Sequence, residues 1–138
     1  MIIDQIDRSN YFKGLLILIG TNRKITETER KVIGNVAGIL GFGHNFVDTV
    51  MDELFGNQYI IAEPPKFTNH ILAELFIRDG MRVAFANKVL HLYELQWLAR
   101  FAINNNFSKQ WFFIELEQYL DNNTQTQENS FEIQKYIN

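Results

Sequence analysis

The sequence predicts an all-α domain of two three-helix units followed by a short last helix. Three observations carry that expectation. Apolar residues recur at helical spacing in six stretches, and no stretch of useful length alternates as a strand would. Capping and stop signals fall between those stretches. A segment also occurs twice: Asn22-Arg-Lys-Ile25-Thr26-Glu-Thr-Glu29 is echoed by Asn87-Lys-Val-Leu90-His91-Leu-Tyr-Glu94, 65 positions later (87 − 22). The register then holds without a gap through Ile33/Leu98, Ala37/Ala102 and Phe42/Phe107. A period of this size marks two copies of one supersecondary unit.

The first helix is expected over about 9–21. Leu15, Leu18 and Ile19 define its apolar face, and Leu16 and Ile17 widen that face until the helix is buried on most sides. Asn22-Arg23-Lys24 is a turn. Thr26-x-x-Glu29 has the form of a capping box, in which each side chain bonds the other's backbone amide. Helix two follows with Val32, Ile33, Val36, Ala37 and Leu40, and Gly41 stands where the chain needs a positive φ to leave a helix. Helix three, about 45–55, carries Phe46, Val47, Val50, Met51 and Leu54. Residues 57–66 are irregular, and Glu63-Pro64-Pro65 stiffens this junction between the copies.

Thr68 or Asn69 caps helix four, which is expected to reach about residue 86. Gly80 lies inside it at a cost of about 1 kcal/mol against Ala, so another helix is expected to pack closely there. Asn87-Lys88 is the second turn, His91 stands in the place of Thr26, and helix five carries Leu95, Leu98, Ala99, Phe101 and Ala102. Asn104-Asn105-Asn106 ends it, since Asn tolerates the left-handed conformation. Ser108 caps helix six, about 109–121, with Phe112, Leu116, Tyr119 and Leu120 on its face. Residues 122–130 are polar. A last helix with Ile133, Tyr136 and Ile137 is expected to cover Trp111, Phe113 and Ile114 of helix six. The domain therefore spans 1–121, with copies at about 9–56 and 68–121, and 122–138 forms a polar linker and docked helix.

Composition narrows the function classes. The 138 residues are 46% hydrophobic and 14% aromatic, enough for a real core. A net charge of −3 with scattered basic residues supplies no field for nucleic acid. Without cysteine there is no disulfide framework, thiolate metal site or thiol catalysis, and a cytoplasmic setting is expected. The longest apolar run, residues 15–19, is far short of a membrane span, so no insertion is expected.

The doubled motif carries a family likeness. A turn residue, an aliphatic residue, a small polar cap and a Glu seven positions after the turn residue resemble the TerB-like domains of tellurite resistance, which read Asp-Gly-x-Ile-Ser-x-x-Glu in two helical pseudo-repeats. Gly34-Asn-Val-Ala-Gly-Ile-Leu-Gly-Phe42 is similar to that family's second helix with its Leu-Gly-hydrophobic ending. The likeness spans about residues 10–121. It implies a non-enzymatic interaction or adaptor domain in stress response, with a protein partner or a second copy. This sequence has Asn22 and Asn87 in place of the family's Asp, and Arg23 and Lys88 in place of Gly.

The alternative is a divalent-metal site, or a small hydrolytic site, at the two turns. Asn22, Glu29, Asn87, His91 and Glu94 are its candidate ligands, although hard cations usually take more carboxylates than this. The competing role for Glu29 and Glu94 is helix capping. No catalytic grouping or phosphate-binding loop stands out, and no cofactor is expected. Asp79, inside a largely apolar helix, must be paired or hydrogen-bonded if buried, either structurally or to a ligand. Trp111, Phe113 and Ile114 are candidate interface residues.

Overall fold

A computed structural model describes residues 3–20, 26–56, 64–85, 92–122 and 131–136, apart from the side chains of 52–56, 122 and 136. Among the described residues there are six α-helices and one 3-10 turn, and no strand. They are α1 (Gln5–Gly20), α2 (Glu27–Leu40), α3 (His44–Gly56), α4 (His70–Ala84), α5 (Leu92–Asn104), α6 (Lys109–Asn122) and the 3-10 turn Glu132–Tyr136.

α1 and α4 form the centre. α1 packs on α2, α3, α4 and α5, while α4 packs on α1, α2, α5, α6 and the 3-10 turn. This position explains their composition: α1 buries Tyr11, Phe12, Leu15, Leu16, Leu18 and Ile19 around most of its circumference. Their close approach depends on missing side chains. A Cβ at Gly14 would lie 2.8 Å from Cε2 of Phe76, and one at Gly80 would lie 2.7 Å from Cδ2 of Leu98 and 3.3 Å from that of Leu18. Gly80 is thus the close-packed position that its place in helix four implies.

The ends of the helices follow the capping residues. Thr26 and Glu29 form the full capping box, with Glu29 N–H donating to Thr26 Oγ1 (3.1 Å) and Thr26 N–H to Glu29 Oε1 (2.9 Å). Asn69 caps α4 through Ile71 and Leu72, and Ser108 accepts from Trp111 N–H at the start of α6. α1 begins four residues before its expected start. Asp4 accepts from Asp7 N–H at 2.8 Å and so caps it, which leaves Ser9 in the helix interior.

The two halves keep a common register. Helix starts stand 65 positions apart: 5 and 70, 27 and 92, 44 and 109. Gly41 and Asn106, also 65 apart, both take positive φ, 89° and 70°. The following Phe42 and Phe107 donate their amides to Ala37 and Ala102, each at 2.9 Å. Phe42 stacks on Phe46 as Phe107 stacks on Trp111, with centroids 4.5 and 4.2 Å apart.

The last segment departs from expectation. It forms a 3-10 turn, and it packs on α4 rather than on α6. Phe113 and Ile114 stay about half exposed. The cause is polar: α4 offers a buried carboxylate to the segment's amides, and α6 offers none.

Candidate functional site

Three places hold the residues that the sequence singles out. The first is the pair of repeated helix starts. Glu29 and Glu94 are each the third residue of their helix, α2 and α5, and both are fully buried. Glu29 uses its carboxylate in the capping box. Asn22, Asn87 and His91 lie outside the described residues, so of the proposed ligand set only Glu29 and Glu94 are placed. Among the described residues no three His, Asp or Glu side chains cluster as a cation site.

The second place is Asp79, fully buried on α4. Its Oδ2 accepts the Tyr11 hydroxyl at 2.6 Å and the Ile133 amide at 3.1 Å. Its Oδ1 accepts the Glu132 amide at 2.7 Å. Asp79 therefore acts as the N-terminal cap of a turn that lies 53 positions further along the chain. Burial pushes its carboxyl up from 3.8 to about 6, against the opposing pull of the Tyr11 hydroxyl, the two amides and the Arg82 charge. The Tyr11 phenol is pushed well above its ordinary value by burial and then by Asp79, so it stays a donor. Phe131 and Ile133 are buried beside this bond network, and the Arg82 guanidinium lies 5.9 Å from the Phe131 ring centroid.

A groove of about 250 Å³ runs alongside, lined by Arg78, Met81, Arg82, Glu115, Gln118, Tyr119 and Glu132. Its walls are tied by ion pairs. Arg78 Nη2 lies 3.1 Å from Glu115 and 3.4 Å from Glu74, which holds α6 to α4. The bond to Glu115 is the main cause of the upward shift of the Arg78 pKa.

The third place is the outer face of α6. Phe112 of the same helix is buried in the core, whereas Phe113, Ile114 and Leu120 are 50%, 48% and 50% exposed. Phe113 and Leu120 are separated by two helical turns and share a face with the exposed Glu117. Trp111 belongs elsewhere. It is half-buried in a ring stack, His70 on Phe107 on Trp111, with both centroid spacings 4.2 Å.

Two buried polar residues escape sequence reasoning, Tyr11 beside Asp79 and Asn105 after the end of α5. Tyr11 reads as one more aromatic of an apolar helix, and nothing local ties it to Asp79. Asn105 reads only as part of a helix stop. It is buried, accepts the Phe67 amide at 2.8 Å and donates to the carbonyls of Pro65 and Phe101 at 3.1 and 2.9 Å. It thereby fixes the segment that leads into α4. The only advance signal is three consecutive Asn where one ends a helix.

No protein-family model, curated protein or solved structure matches the chain. No described helix is long and apolar enough to cross a membrane.

Proposed function

We propose that this chain is a non-enzymatic interaction domain of TerB-like type, acting in a cytoplasmic stress response, and that the outer face of α6 binds its protein partner. The observation that carries this is the exposure of Phe113, Ile114 and Leu120 within two turns of one helix; Ile6, Ile71, Leu92, Tyr93 and Ile103 are also exposed, but they are spread over three other helices. Grouped apolar residues left in water mark contact surfaces more often than scattered ones do. The exposed acid Glu117 between them would give a bound partner a polar rim.

The TerB-like part rests on separate support. The helix starts, the positive-φ stops and the Phe–aromatic stacks recur at one offset. Duplication of a three-helix unit accounts for all of them together. The capping box at Thr26 and Glu29 gives the repeated motif a folding role. Among the described residues no specific observation favours the metal-site reading.

The partner class includes a second copy of the chain. Sedimentation velocity across a concentration series tests this directly, comparing the parent with a Phe113→Glu, Leu120→Lys variant. The reading expects association in the parent, with itself or with protein added from its native cell extract, and its loss in the variant. Equal behaviour of the two chains, with unchanged helicity, would sink it.

A further inference from the structure

The 131–136 segment is held differently from the rest of the molecule. Among the helices its main packing partner is α4. It enters with two buried side chains, Phe131 and Ile133, one on each side of a half-exposed Glu132. Its first two turn amides, of Glu132 and Ile133, end on one carboxylate. Arg82 covers the Phe131 ring. Each of these is the kind of contact by which a groove reads a short peptide: two apolar anchors and a paired backbone acceptor. The slot therefore specifies Phe-x-aliphatic with free amides at the second and third positions.

We infer that the Asp79 slot is a peptide-docking site that the chain fills with its own 131–136 segment, and that the same segment of a second copy can occupy it. Detachment does not strand a dry charge. Glu132 forms one wall of the open groove, so withdrawal of the segment opens Asp79 to water from that side. Tyr11 keeps its bond to the carboxylate throughout, because it belongs to α1. The six-helix body keeps its other contacts, including the Arg78–Glu115 pair between α4 and α6. Residues 123–130, which join α6 to the segment, are all polar. Because the segment is covalently joined to the body whose slot it fills, occupancy in cis prevails until free copies approach its effective concentration. The inference concerns a face other than the outer side of α6 and stands or falls apart from the partner proposed there.

The test keeps the whole chain. A protease recognition sequence replaces part of 123–130, and the folded protein is cut after purification. A fluorescein-labelled peptide of residues 131–138 is then titrated and followed by anisotropy, with helicity monitored in parallel. The expected result is saturable uptake by the cut chain, competition by unlabelled peptide, and uptake by the uncut chain at least ~100-fold weaker because of the tether. Asp79→Asn in the cut chain is expected to weaken uptake by roughly 10-fold, since one amide then faces a donor. Three results would each overturn the inference: a folded cut chain that takes up no peptide, a body that unfolds as its own segment departs, or equal uptake by the Asp79→Asn chain.

Discussion

Replacing Tyr11 with Phe removes one hydroxyl and little else. That hydroxyl donates to Asp79 Oδ2 at 2.6 Å, and both residues are fully buried. A hydrogen bond to a charged acceptor is worth about 1.5–3 kcal/mol, so a loss of about 2 kcal/mol is expected near pH 7, where Asp79 is ionised. Its carboxyl is raised from 3.8 to about 6, so it is mostly neutral near pH 4.5. There the bond is neutral and worth about 1 kcal/mol. The sign agrees with linkage. A raised folded-state pKa gives stability that is present below 3.8 and lost as pH rises through 6. Removing a group that opposes the rise pushes the carboxyl further up, so the variant loses more over the same window. Urea denaturation followed by circular dichroism measures both values. At this chain length about 2 kcal/mol corresponds to roughly 8 °C in Tm. A penalty that is the same at both pH values, or one below about 0.5 kcal/mol at neutral pH, would refute the assignment of Asp79 as a charged acceptor for Tyr11.

Further outcomes follow from the same geometry. Ionising Asp79 costs the fold about 3 kcal/mol, from the shift of 3.8 to about 6. The stability of the parent minus that of Asp79→Asn should therefore fall by that order from about pH 4 to pH 7; a flat difference in denaturation midpoints would contradict it. Gly14→Ala forces a methyl to within 3 Å of the Phe76 ring, and an overpacking cost of about 1–3 kcal/mol outweighs the helix gain of about 1, lowering the midpoint. Asn105→Ala strands the Phe67 amide, with an expected loss of about 2 kcal/mol and faster hydrogen exchange at that amide. Thr26→Ala opens the capping box and costs about 1 kcal/mol, whereas Thr26→Ser keeps most of it.

The parts of this fold that depend on neighbours in sequence were legible from sequence. Thr26 with Glu29, the left-handed stops at Gly41 and Asn106, and the Ser108 cap are all local devices, and each is found where its pattern puts it. Gly80 was legible because a glycine inside an apolar helix has few other uses. The start of α1 was missed because its cap, Asp4, lies well ahead of the apolar residues 15–19 that mark the helix in sequence. The docking of residues 131–136 was not legible for a physical reason. Helical periodicity says which side chains seek cover, but it does not say which cover they find. Surplus apolar groups on α6 were the visible attractor, yet the choice was made by a carboxylate 53 positions away that needed amide donors. Asp79 was recognisable as a residue that needs partners, while Tyr11, Glu132 and Ile133 were not recognisable as those partners.

The central claim is that the outer face of α6 binds protein, and site-specific photocrosslinking from position 117 tests it most directly. Glu117 is exposed and shares its face with Phe113 and Leu120. A photoreactive residue there, in the full chain expressed in its native cells, should yield a discrete adduct. That adduct should disappear when Phe113 and Leu120 are changed to Glu and Lys. The same probe at position 30, an exposed site on α2, should give no such adduct. Adduct patterns that are identical from positions 117 and 30, or that survive the double substitution, would contradict the account.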